Sequence, residues 1–276
     1  MKMMFREALG VVRYEVKHLL RNRRTWLILA ILAGIVHFYG NPVRMFCVQH
    51  GVKASLFPLF IGMTTTNTSQ GVLYMLWIYL ICDSPFIDKA HQYILLRCGQ
   101  TNYMLGVILY LVLCSVLYWI VVFFMTLLLM VGQLEPSVNW GRVYVSLARG
   151  HVSSISLTYL TSMQKQFSAT EAFALSFFLQ ICCSFSLALL VTGGNYTVRR
   201  MGVLLALAVL MFDKMFFWFG FPYYYMHFSP VTLANLSVLD NLAASYHPSV
   251  RYALSVVPVL SLPLMGGCVA ISRKYR

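Results

Sequence analysis

Residues 103–131 read YMLGVILYLVLCSVLYWIVVFFMTLLLMV, one apolar run that extends over about 44 Å as an α-helix at 1.5 Å per residue. A bilayer core of about 30 Å is crossed by about 20 apolar residues in helical form. The run therefore spans and either tilts or projects beyond the hydrocarbon. Working outward, comparable runs occur at 25–39, 59–81, 172–192, 201–220 and 252–271. The first is short unless it continues past Asn41-Pro42. The reading is an all-α membrane protein of six transmembrane helices.

Composition agrees. Hydrophobic residues make up 59% of the chain and charged residues 11%, with a mean hydropathy of +0.72, which leaves too little polar surface for an ordinary soluble domain. The 21 Lys and Arg against 8 Asp and Glu would suit nucleic acid, but they sit at the ends of apolar segments instead of forming one stripe, so no nucleic-acid partner is expected. With the N-terminus inside, most of them fall on the arm, on the segment at 83–102, on 193–200 and on the C-terminal end. That bias predicts both termini cytoplasmic.

The domain organisation follows: an amphipathic interfacial arm at 1–24 and a transmembrane domain at 25–276, with an inner segment at 83–102 and outer segments at 133–170 and 221–250. The start MKMMFREALG does not read as a secretory signal. As a helix, residues 5–20 put Phe5, Leu9, Val12, Val16 and Leu19 along one face and Arg6, Arg13 and Lys17 on another. That pattern fits a helix at the inner membrane surface, drawn by anionic lipid. A calmodulin-target or nucleic-acid role suits any basic amphipathic helix, but direct continuation into a span argues against both.

The inner segment DSPFIDKAHQYILLRCGQ (residues 83–100) opens on a helix-start signal at Asp83-Ser84-Pro85 and closes at Gly99. A helix over 84–98 would carry Asp88, Lys89, His91 and Arg97, with Phe86, Ile87, Tyr93, Ile94 and Leu96 as a buried or docking face. An ordinary solvated connector is the plain alternative. Residues 133–170 form either a loop or an amphipathic lid. Residues 216–230, FFWFGFPYYYMHFSP, read as an outer aromatic belt with a broken or re-entrant helix.

Asp213 and Lys214 are the sharpest intramembrane signal, since charge in hydrocarbon is expensive. Asp213 lies about 20 Å from Arg200 by helical rise, towards the outside, and neighbouring side chains diverge by about 100° on a helix. The pair reads as water-facing or interfacial, or as part of a substrate path. Pro258 and Pro263 predict a kink in the last span. The seven cysteines lack paired ligand spacing, so neither a disulfide framework nor a metal is expected. GxxxxGK[ST], HExxH and GxSxG are all absent, so the chain is not read as an enzyme and carries no nucleotide site of its own.

The basic arm REALGVVRYEVKHLLRNRRTW, the six spans, the segment DSPFIDKAHQYILLRCGQTNYMLGVILY and the broken aromatic stretch together resemble the permease subunit of a bacterial type-2 ABC transporter. The resemblance implies a multi-pass subunit in the bacterial cell membrane, dimerised with itself or a related permease. A separate ABC ATPase subunit would hold ATP and Mg. Residues 84–98 would be the coupling helix, with Asp88, Lys89 and Arg97 as the first ATPase contacts and Phe86 as an apolar anchor. The cargo would be an amphiphile such as a peptide, drug or lipid, exported by alternating access. The long outer segment departs from the simplest family picture. An ion- or proton-coupled carrier working through Asp213 and an orphan membrane protein, such as an immunity or scaffold factor, are the competing readings.

Overall fold

The amphipathic arm folds as α1 (Lys2–Arg21) and passes through Asn22 into α2 (Arg23–His50). In this computed structural model, residues 2–86, 89–149, 156–157, 159, 161–198, 200–219, 226–240 and 247–274 are described. Asn22 caps α2, its side chain accepting the Arg24 N–H at 3.0 Å, which satisfies one of the free donors of the first turn. The helix runs through Pro42 and stops at Gly51, whose left-handed φ of 61° returns its N–H to Cys47 and Val48. The run at 25–39 is thus the first part of a longer helix.

The run at 59–81 is not one helix. It is split at Thr66 into α3 (Pro58–Thr65) and α4 (Asn67–Leu80), because Thr66 adopts an extended ψ of 122°. Local hydroxyls absorb the break. Thr65 and Thr66 donate to Ile61 at 2.8 Å and Gly62 at 2.7 Å, and Ser69 donates to Met63 at 2.6 Å. The Gly62 carbonyl already accepts the Thr66 N–H at 3.0 Å, so it is Ser69 that serves a carbonyl left free by the break, as one inside an apolar layer requires.

After α5 (Lys89–Cys98), Gly99 at φ 74° turns the chain into α6 (Gln100–Leu129). Beyond α6 the described residues of the 133–170 segment pack together; 150–155, 158 and 160 lie outside them. Parallel two-residue strands β1 (Ala54–Ser55) and β2 (Leu134–Glu135) clip two connections together. Then α7 (Gly141–Ala148) buries Val143, Tyr144 and Leu147, and Trp140 donates to the Phe167 carbonyl at 2.8 Å. The short α8 (Thr161–Gln166) follows. A full capping box between Ser168 and Glu171 opens α9 (Ala169–Thr197). The chain ends in α10 (Met201–Phe219), α11 (Pro230–Leu233) and α12 (Val250–Lys274), the last continuous through Pro258 and Pro263.

Helices α2, α6, α9 and α12 are long and apolar enough to cross a membrane; the chain is an all-α protein of multi-pass membrane character. Side chains such as Trp26, Phe38, Leu128, Leu204, Phe212 and Leu262 stay exposed around the bundle, where lipid tails are as apolar as they are. The interior is aromatic. Phe57, Phe60, Phe123, Phe173 and Phe177 stack between α3, α6 and α9, and the indoles of Trp77 and Trp119 both donate to Ser184, at 2.8 and 2.7 Å.

Candidate functional site

At one end of the bundle, three connections converge: the α1–α2 junction, the turn after α4 and the α9–α10 connection. Arg24 pairs with Asp83 at 2.6 Å. Asn195 donates to the carbonyls of Cys82 and Ser84, each at 2.9 Å. These contacts explain a correction to the expected helix over 84–98. With Asp83 turned to Arg24 and the Ser84 N–H returned to Ile81 at 2.9 Å, residues 84–86 are not helical; residues 87 and 88 lie outside the described residues, and the described helix runs from Lys89. Burial, helped by the neighbouring Asp83 carboxylate and opposed by Arg24, pushes the Cys82 thiol up. Partial burial does the same to Cys98. Neither is a ready thiolate at neutral pH.

Of the residues expected to meet an ATPase, Asp88 lies outside the described residues. Lys89 opens α5, with its side chain outside them too. Phe86 is half-buried and stacks on His18 at 4.9 Å between ring centroids. Arg97 is exposed, and with it stand the adjacent Leu96 at 85% exposure and, one helical turn back, Tyr93 at 75%. Positions 93, 96 and 97 share one face. The apolar members of that face were visible in the sequence, but which of them pack inward was not.

The arm lies against α6. Ala8, Val11, Glu15 and Leu19 are its buried face, whereas Leu9, expected on the apolar face, is 56% exposed. The reason is a close approach at Gly106, where an added Cβ would stand 2.6 Å from Val11 Cβ and 2.9 Å from the Ala8 carbonyl oxygen. It is the missing side chain at Gly106 of α6 that lets the arm approach so closely. Glu15 is fully buried and accepts from the Tyr103 hydroxyl at 2.9 Å. Arg13 and Lys17 point outward and are exposed, while the side chain of Arg6 lies outside the described residues.

The second constellation is internal. Asp213 has no exposure and pairs with Lys214 at 3.0 Å, which corrects both the water-facing reading and the expectation that adjacent side chains diverge. The lysine stem is long enough to fold back, and Gly71 makes room for it: a Cβ there would lie 2.9 Å from Lys214 Cε. Lys214 also donates to Asn67 at 2.5 Å. Asp213 accepts from Ser229 at 2.5 Å and from Thr232. One ion pair thus ties α10 to the start of α4 and to α11.

The chain around α11 is held at the same level by amides. Gln70 donates to Val231 at 3.2 Å, Asn235 to Thr65 at 3.0 Å and Gln180 to Ala234 at 3.1 Å. The Tyr74 hydroxyl donates to Gln180 at 2.5 Å. Val231, Leu233, Ala234 and Leu236 are buried, so α11 and the chain just after it are enclosed by protein; of the aromatic stretch expected as a broken or re-entrant helix at 216–230, residues 220–225 lie outside the described residues. The chemistry is that of a clasp: a carboxylate and an ammonium neutralise each other, and their remaining valences go to hydroxyls and amides. In comparison with known proteins, no family model, no curated protein and no solved structure matches the chain.

Proposed function

We propose that this chain is the membrane-spanning subunit of an ATP-driven exporter, powered by a separate ATPase subunit. The observation that carries the reading is α5, a ten-residue helix set between α4 and α6 with Tyr93, Leu96 and Arg97 turned outward. An apolar pair flanked by a cation, on a short rigid helix packed against the base of α6, suits a groove on a soluble partner. A chain that offers no phosphate-binding loop would, if its transport is ATP-driven, take its energy from such a partner.

On this reading α3–α4 and α10 cross the bilayer together with the four longer helices, giving six crossings with both termini cytoplasmic. The permease pairs with itself or a related chain in a bacterial cell membrane. ATP and Mg belong to the ATPase. An amphiphile is the cargo. The α5 contact transmits nucleotide-dependent bias because the partner binds one membrane conformation better than the other.

The test is co-purification of the tagged chain from its host, wild type against a Tyr93→Ala/Leu96→Ala/Arg97→Ala variant. Retention of an ATPase by wild type and its loss from a normally inserted variant is the expected result. Equal retention, or no ATPase under conditions that preserve a known transporter complex, sinks the proposal. The buried Asp213 favours a second reading, an ion-coupled carrier. That reading requires transport driven by an imposed proton or sodium gradient without ATP, abolished in an Asp213→Asn protein that still folds.

A further inference from the structure

The three connections that meet beside α5 enclose a cavity of about 790 Å³, lined among others by Arg21, Asn22, Arg24, Asp83, Asn195 and Arg200. Its size falls within the range of ligand-binding pockets. Its charge is one-sided. The single carboxylate, Asp83, is already taken by Arg24. Arg21 and Arg200 reach the cavity with neither an ion pair nor a hydrogen bond from their side chains among the described residues. Arg200 is held there at φ 68°, a left-handed conformation that non-glycine residues seldom adopt.

Two helix N-termini adjoin the space, at Asn22 before α2 and Arg200 before α10, and two C-termini offset them, at Arg21 of α1 and beside Asn195 of α9, so the positive sign rests on the arginine side chains. No described carboxylate other than Asp83 faces it. The level in the membrane is marked as well. Arg24 lies 5.1 Å above the Tyr79 ring, and Trp26 beside it is 62% exposed. Exposed Trp and Tyr at the end of an apolar helix gather at headgroup depth.

We infer that this cavity binds a phosphate-bearing anionic group, presented by the headgroup of an anionic phospholipid. Arginine forks suit phosphate oxygens better than lysine does, because two parallel N–H donors match the planar spacing of the acceptors. Basic pockets between helices at a membrane surface take lipid headgroups for this reason. The site goes beyond the exporter reading, and requires no ATPase.

The experiment uses the full chain in nanodiscs of phosphatidylcholine alone, of phosphatidylcholine with phosphatidylglycerol, and of phosphatidylcholine in a buffer with added inorganic phosphate. Native mass spectrometry reads bound lipid, and thermal unfolding reads stabilisation. Wild type should retain phosphatidylglycerol over phosphatidylcholine by roughly thirtyfold, as two arginines near a lipid surface predict. An Arg21→Gln/Arg200→Gln variant should lose that preference, whereas Arg142→Gln/Arg149→Gln, at the opposite end of the bundle, should keep it. Should the glutamine variant fail to fold, Arg21→Lys/Arg200→Lys keeps the charge and should show a weakened preference. Absence of a preference in wild type overturns the inference, as does its survival in the folded glutamine variant. Stabilisation by inorganic phosphate that depends on Arg21 and Arg200, without lipid retention, keeps the anion site and overturns the lipid as its source.

Discussion

Asp213 illustrates how costly a charge is once its partners are fixed. The carboxylate is fully buried, and its neighbours are an ammonium at 3.0 Å and two hydroxyls. Removing one member of a buried pair strands the other, at a typical cost of about 3–5 kcal/mol. Asp213→Asn should therefore lower the thermal unfolding midpoint in detergent markedly, while Asp213→Asn/Lys214→Met should recover part of the loss. A double variant as unstable as the single one would show that Ser229 and Thr232, not the ion pair, carry the clasp. The two charges stood out in the sequence against an apolar background. Their geometry did not, because it depends on how far a lysine stem bends and on hydroxyls from a separate segment. Glu15 was less legible still. A carboxylate on an exposed-looking arm turns inward to a face where Tyr103 offers it a donor.

Elements in this bundle meet where side chains are missing. A Cβ on Gly202 would overlap the Val191 carbonyl, and one on Gly194 would overlap Gly202 itself, so α9 and α10 touch backbone to backbone, as small residues allow between membrane helices. Gly202→Ala should cost about 1–3 kcal/mol as an overpacked contact. Gly34→Ala, in the open interior of α2 with nothing within 4 Å, should instead stabilise by about 0.5–1 kcal/mol through helix propensity. Unfolding midpoints of the two variants ought to move in opposite directions, and a shared direction would remove close packing as the explanation. At the arm, Gly106→Val should push α1 off α6 and speed amide hydrogen exchange at residues 8–19. Glycine in an apolar run is visible in a sequence, but which glycines carry contacts depends on crossing points that no local pattern encodes. The break at Thr66 is similar. The stretch TTTNTS at 64–69 reads as part of an apolar run until the Ser69 hydroxyl is seen serving a carbonyl freed by the break.

At the scale of the whole molecule, hydropathy made the long helices legible because burial in lipid acts on composition over some twenty residues at once. The converging ends were hidden, since the cavity joins residues 21–24, 82–86, 195 and 200, which only the fold brings together. Topology can be tested at those ends. Gln49, Tyr93, Val138, Val198 and Phe228 are all exposed and lie in successive connections or at helix ends. Single cysteines at these positions, in a background with the native cysteines replaced, should sort into two groups towards a membrane-impermeant maleimide. With six crossings, Tyr93→Cys and Val198→Cys react only in inside-out vesicles. Gln49→Cys, Val138→Cys and Phe228→Cys react only from outside. If α3–α4 fails to cross, Tyr93→Cys moves to the side of Gln49→Cys; if α10 fails to cross, Phe228→Cys joins Val198→Cys. The first outcome would put α5 on the wrong face for a cytoplasmic ATPase, so the labelling pattern bears on the exporter reading before any partner is isolated.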